Sequence, residues 1–344
     1  MTRFTFLEKL LHRLNALPQP IYDAFLQTLL GRAIMVSNKL GLFERLTKKP
    51  CTVEELANDL NVSTQGVQLL LDALDVAGYV HRRGTMFEAT AMTKKWMDRR
   101  SDHSVRNLMA YFETLYDRWS YLDETVRRGS PEKTYFELFT PEDWRIYTYG
   151  MMDLARLLMR QVLKHVVLPG GAERLIDIGG SHGLYSIELC RKYPQLRATV
   201  VDFPGAAIHG KQIIQEAGIP NRISYLEGDF LDVDFGMMYD AALSFNIVHG
   251  LGREQNQVLA RKVYRALRSG GSWYVLDELR TGKKNSILSN LVPAVVGLHL
   301  FNEVGGCAYD VEEVRKWCES AGFADVKFVG LRFPGVALVR CRKV

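Results

Sequence analysis

The sequence of 344 residues has no uncharged apolar run of the roughly 18–20 residues that a membrane span needs, which argues against a membrane protein. Its five cysteines (Cys51, Cys190, Cys307, Cys318 and Cys341) are odd in number, far apart and without a C-x-x-C pair. That pattern excludes a disulfide framework and places the protein in a reduced cytoplasm. The first residues lack the unbroken apolar core of a signal peptide, because Glu8, Lys9, His12 and Arg13 interrupt it. No repeat or low-complexity tract is present, and no His, Cys or acid cluster has metal-ligand spacing, so no metal is expected. Nor is there a basic patch: the net charge is +5, with Lys and Arg scattered, which argues against a nucleic-acid partner.

What remains is an ordinary globular composition, 47% hydrophobic and 24% charged, on a chain long enough for two domains. Residues 1–45 carry apolar positions at three- and four-residue spacing and are expected to be helical. Thr52 with Glu55 reads as a capping box, Asn61 as a helix end, and Ser63 with Thr64 as a second start that runs toward Gly78. "YVHRRGTMFEAT" then reads as two short strands joined at Gly84. Helix, turn, helix and hairpin make a winged helix. Its second helix offers Gln65, Gln68, Asp72 and Asp75 but no Lys or Arg, so dimerisation suits it better than DNA binding. Residues 101–165 are helical and aromatic, among them Tyr135, Phe136, Phe139, Trp144, Tyr147 and Tyr149, and periodicity does not sort core rings from pocket rings.

From residue 166 the pattern alternates strand and helix, which implies a Rossmann-like, doubly wound α/β sheet with its ligand at the carboxyl ends of the strands. The turn after the first of these strands, "LIDIGGSHG", fails the dinucleotide pattern G-x-G-x-x-G, because Ser181 and Leu184 occupy the third and sixth places. Gly179, Gly180 and Gly183 instead follow an acid, Asp177, and two further strands end in Asp202 and Asp229. A carboxylate beside the glycines, such as Asp177, is unwelcome to a pyrophosphate, whereas Asp202 suits the ribose of either a dinucleotide or S-adenosylmethionine. S-adenosylmethionine, which carries an amine, a sulfonium and ribose hydroxyls but no phosphate, is the better ligand.

With these residues the chain resembles the class I S-adenosylmethionine-dependent methyltransferases, and within them the plant caffeate-type and bacterial small-molecule O-methyltransferases that include acetylserotonin methyltransferase. The stretches "LIDIGGSHG", "VVDFPG", "EGDF", "FNIVHGLGREQ", "ALRSGGSWYVLDE" and "VEEVRKWCESAGF" carry the likeness in order, over nearly the whole chain. The resemblance implies a winged-helix dimerisation domain (1–100), a helical segment contributing to the substrate pocket (101–165) and a Rossmann-like cofactor domain (166–344). It implies a homodimer with S-adenosylmethionine as cofactor, S-adenosylhomocysteine as product and a small aromatic acceptor. Expected cofactor contacts are Asp177, Gly179, Gly180, Ser181, Gly183, Asp202, Phe203, Asp229 and Phe230. His249 is the expected general base and Asp277 an acid that orients it. Tyr149, Met151, Met152, His299 and Asn302 are expected to face substrate.

Departures from the family pattern are as informative. A second acid would fall in the loop that here reads "GGCAYD", where Ala308 stands, and the usual Asp and Trp after the histidine are Gly250 and Leu251. Loss of one orienting carboxylate leaves room for carbon or nitrogen methylation, or for a reaction other than methylation. A DNA-binding regulator and a dinucleotide oxidoreductase are the readings from other classes.

Overall fold

The computed structural model describes Leu14, residues 16–280 and residues 287–344, apart from the side chains of Ile287 and Ser289. Most of the helix expected before residue 16 lies outside the described residues. Two compact units emerge, residues 1–115 and residues 116–344, with the division falling inside the helix Arg106–Trp119.

In the first unit, helices Gln27–Lys39, Leu42–Lys48, Val53–Leu60 and Thr64–Val76 accompany a small antiparallel sheet. Its strands are β1 (Cys51–Thr52), β2 (Val80–Arg83) and β3 (Met86–Ala89), in the order β1-β3-β2. Local chemistry sets these boundaries. The Thr52 hydroxyl accepts from the Glu55 amide and the Glu55 carboxylate from the Thr52 amide, and Asn61 closes the helix at φ 53°. Leu42, Phe43, Leu46, Leu56, Leu71, Leu74 and Phe87 form the core beneath the helix–helix–hairpin unit. On the polar face of Thr64–Val76, Gln68 donates to Asp72. Leu26, Leu29, Leu30, Ala33, Leu69, Leu70 and Ala73 leave an apolar groove between Gln27–Lys39 and that helix.

The second unit holds a seven-stranded sheet built from β4 (Arg174–Ile178), β5 (Arg197–Asp202), β6 (Ile223–Glu227), β7 (Tyr239–Phe245), β8 (Leu267–Glu278), β9 (Phe323–Gly330) and β10 (Val336–Lys343). Their order is β6-β5-β4-β7-β8-β10-β9; the first five run parallel, and β10 lies antiparallel to both neighbours. Side-chain alternation assigns each residue to a face. Leu175, Val200, Leu243, Tyr274 and Leu276 pack under the helices Pro141–His165, Leu184–Lys192 and Pro204–Glu216. Ile176, Ile178, Ala242, Trp273 and Val275 pack under Arg253–Ala266 and Val311–Ser320. Both faces are therefore covered, and the strand ends remain for function. Residue 165 marks a change in sequence period rather than in packing, since Met152, Ala155, Leu158 and Val162 of the preceding helix belong to the sheet's own core. No described helix is long and apolar enough to cross a membrane.

Candidate active site

Four parallel strands deliver their ends to one cavity of about 580 Å³. Gly179 follows β4, Asp202 ends β5, Asp229 follows β6, and Asn246, Ile247 and His249 follow β7; all of them line it.

The turn after β4 is shaped by close approach. Gly179 has φ +67°, and a Cβ there would fall 2.0 Å from Cδ1 of Ile247. A Cβ on Gly180 would fall 2.6 Å from Cγ of Asp177, so the carboxylate lies against the turn from below. Asp177 accepts from the Ser186 hydroxyl at 2.7 Å, and its burial lifts its pKa to about 7. The turn is tied to β5 as well, because the Ser181 amide donates to Asp202 Oδ2 at 2.8 Å while the Tyr225 hydroxyl donates to the Ser181 carbonyl at 2.7 Å. Asp177, Gly180, Ser181 and Gly183 thus build the turn without lining the cavity, whereas Gly179, Asp202, Phe203, Asp229 and Phe230 line it.

Asp202 is prepared to accept. Each of its oxygens takes one backbone amide, from Ser181 and from Phe203, and each keeps a further lone pair. Burial raises its pKa to about 6, against the pull of those amides. Asp229 Oδ1 accepts from the Leu231 amide at 2.8 Å. Two buried polar atoms, Ser181 Oγ and Asn246 Oδ1, have no hydrogen-bond partner among the described residues.

At the other end of the cavity His249 sits on the short 3-10 turn Val248–Gly250, pinned by Asn256, whose amide donates to the Val248 and Leu251 carbonyls. Its Nδ1 lies 2.5 Å from Asp277 Oδ1 and 3.2 Å from Glu278 Oε2, which leaves Nε2 as the ring nitrogen without a partner among the described residues. Burial alone would depress the imidazole, but Asp277 and Glu278 reverse this and lift its pKa to about 10. The 2.5 Å separation is that of a hydrogen bond, although His249, Asp277 and Glu278 also bring their ligand atoms within 4.8 Å of one another, a cluster that residue spacing in the sequence did not foretell. Ala308, in the loop expected to lack an acid, is buried, and the neighbouring Cys307 amide donates to the His249 carbonyl at 2.9 Å.

The wall of the cavity is aromatic. Phe136 and Trp144 stack with centroids 5.5 Å apart and planes at 10°, and Phe203 adjoins both. Tyr135 and Tyr147 complete the lining, with Leu300 and Val304 opposite the turn residues on the helix Ile287–Val304. A Cβ on Gly205 would fall 2.4 Å from Trp144 Nε1, so that glycine is the seat of the indole.

None of the five residues expected to face substrate is among those lining this cavity, although His299 is close enough to feel the His249 charge, and helical geometry gives the reason. Met152 packs in the sheet core with Ala155 and Leu158, the Tyr149 ring sits 6.4 Å from His209, and Met151 is half-buried away from the lining. His299 Nδ1 accepts from Trp119 Nε1 at 3.2 Å, and buried Asn302 donates to the Arg118 carbonyl and to Glu303. On that helix it is Leu300 and Val304, one turn apart, that reach the cavity. Sequence reasoning missed Glu278, Asn246 and the Phe136–Trp144 pair. A signal for the pair was present in Gly205, which follows Asp202 at the end of β5 and the Phe203-Pro204 that opens the next helix.

Comparisons with known proteins agree with this architecture. A family model described as an O-methyltransferase domain matches residues 119–324. The chain is 27% identical over 311 residues to a 3-hydroxy-5-methyl-1-naphthoate 3-O-methyltransferase of Streptomyces sahachiroi, covering 86% of each chain. It is 24% identical over 310 residues to an L-tyrosine C(3)-methyltransferase of Streptomyces lavendulae, covering 86% of this chain and 84% of that one. The crystal structure of human N-acetylserotonin methyltransferase in complex with SAM superposes with a TM-score of 0.84 at 20% identity, covering 100% of this chain and 99% of that one.

Proposed function

This chain belongs to the O-methyltransferase domain family, and from that premise we propose that it transfers a methyl group from S-adenosylmethionine to a hydroxyl of a small, planar aromatic molecule, with His249 as general base. The observation that carries the reading is that a hydrogen-bond-ready carboxylate, Asp202, and a carboxylate-backed imidazole, His249, line one aromatic-walled cavity. The residues present fit the cofactor. Asp202 has the spare lone pairs for two ribose hydroxyls, Asp229 and Phe230 suit an adenine, and Asn246 Oδ1, without a partner among the described residues, offers a polar contact in the cavity. S-adenosylmethionine supplies an electrophilic methyl group on a sulfonium.

The chain's own residues do the rest. The ring nitrogen Nε2 of His249 takes the proton of the acceptor hydroxyl, while Asp277 fixes the tautomer through Nδ1. An imidazole raised to about 10 matches a phenol, whose own pKa is about 10, so the proton is shared between near-equals. Phe136, Trp144 and Phe203 hold a flat ring and exclude water. Because one relative methylates a carbon of tyrosine, the same base also suits activation of a phenol toward methylation at ring carbon.

Calorimetry with S-adenosylhomocysteine and with NAD tests the cofactor assignment: heat with the first and none with the second is expected, and the reverse would end it. The chemical shift of the new methyl group in the product separates oxygen from carbon methylation. The apolar groove of Leu26, Leu29, Leu69 and Leu70 is the proposed homodimer surface, and a stable monomer at micromolar concentration in sedimentation would remove it. Five free thiols, four of them buried, support a cytoplasmic location.

A further inference from the structure

Nδ1 of His249 carries at most one hydrogen, yet two carboxylates reach it, Asp277 at 2.5 Å and Glu278 at 3.2 Å. Successive residues of a strand point to opposite faces, and β8 obeys this as far as Trp273, Tyr274, Val275 and Leu276. A regular pleat would hold 277 and 278 on opposite sides of the sheet. Their convergence on one ring nitrogen occurs at the last residue of β8, where the longer Glu278 stem reaches back to the imidazole. Asp277 is fully buried and takes amides from His249 and Glu278 as well as the ring. It already satisfies the ring's single Nδ1 hydrogen, so orientation by Asp277 alone leaves Glu278 without a purpose.

We propose that Glu278 is a positioning residue for His249, the second carboxylate that holds the imidazole on its side away from the cavity. The loop at Ala308 reaches the main chain of His249, through the Cys307 amide and the His249 carbonyl, and brings no carboxylate to the ring. The assignment deepens the methyl-transfer reading and rests on it for the use made of the base. No bond forms or breaks at Glu278; the proton stays on the imidazole and the carboxylate contributes its charge. Other charged or titratable groups around the ring are His299 on the helix Ile287–Val304, which burial and the His249 charge hold neutral, and Asp202 and Asp229 across the cavity. Neither acid bonds the imidazole among the described residues.

Nitrogen-15 NMR of histidine-labelled protein, with His249 assigned from the signal missing in His249→Ala, reads the effect without turnover. In Glu278→Gln the His249 titration is expected to fall by about one pH unit or more, since removing an opposing charge at this distance has that effect. Glu278→Asp keeps the charge and should restore most of the drop. An unchanged titration in Glu278→Gln overturns the assignment. If that variant fails to fold, the wild-type Glu278 carboxyl carbon must show an inflection at the pH where His249 titrates, because coupled groups share their steps; a flat trace there also overturns it. In turnover, Glu278→Gln should move the acid limb of kcat to lower pH while leaving KM for S-adenosylmethionine within about twofold. Native turnover in His249→Ala would remove the base reading and leave the NMR result on Glu278 standing.

Discussion

Replacing Gly179 by alanine strikes the turn that the cofactor reading depends on, and the structure sets the size of the effect. At φ +67° an L side chain sits in the left-handed region, at roughly 1–2 kcal/mol. Its Cβ would also lie 2.0 Å from Cδ1 and 2.8 Å from Cγ1 of Ile247, closer than real atoms come, so Ile247 must move. Overpacking of this kind costs roughly 1–3 kcal/mol. The sum, about 2–5 kcal/mol, lowers Tm by about 2–4 °C for each kcal/mol in a unit of this size. Gly179 and Ile247 line the same cavity, so the displaced isoleucine enters it and S-adenosylhomocysteine affinity falls along with Tm. The assay is a double-mutant cycle of Gly179→Ala and Ile247→Ala, read by thermal melts and by calorimetry. Truncating Ile247 relieves the overlap but not the backbone strain, so a coupling of about 1–3 kcal/mol is expected, with a residue of strain left over. Additive behaviour, or a Gly179→Ala protein with native Tm and affinity, would refute this account of the turn.

Asp202→Asn should weaken cofactor binding by about 1.5–3 kcal/mol, roughly ten- to hundredfold by calorimetry, because charge-assisted hydrogen bonds are lost. In the wild type, burial makes Asp202 a carboxylate only above about pH 6, so affinity should be full above that pH and decline as pH falls through it. His249 has a raised pKa, so its base form grows with pH; kcat/KM should keep climbing above pH 7 instead of levelling near the ordinary imidazole value of about 6.5. Gly205→Ala displaces the Trp144 indole and should raise KM for the aromatic acceptor more than KM for the cofactor, measured by initial rates. Turnover should survive EDTA, and its loss with restoration by a divalent cation would contradict the hydrogen-bonded reading of His249 and Asp277.

Local rules make the framework legible in the sequence. The Thr52–Glu55 box, the Asn61 stop, the hairpin at Gly84 and the strand-end acids each depend on residues a few positions apart, and the structure places each of them accordingly. What sequence hides is which face a long helix turns where. Pro141–His165 contributes Trp144 and Tyr147 to the cavity in its first two turns, then Met152 and Ala155 to the sheet core, with no change in composition between them. Glu278 is hidden by a different cause. Strand alternation, applied to the end of β8, sends it away from Asp277, and the reach of its longer stem back to the imidazole has no signature in the residues themselves.

Methyl transfer itself gives the most direct test. Wild-type protein and His249→Gln are incubated side by side with methyl-labelled S-adenosylmethionine and a panel of phenols, catechols and hydroxylated heteroaromatics, and label is followed into the organic product. Label should move to at least one planar phenol with the wild type, and at least about 100-fold more slowly with the variant, the loss expected when general-base assistance is removed. Equal transfer by both proteins, or cofactor bound with no label passed to any hydroxyl, would contradict the account.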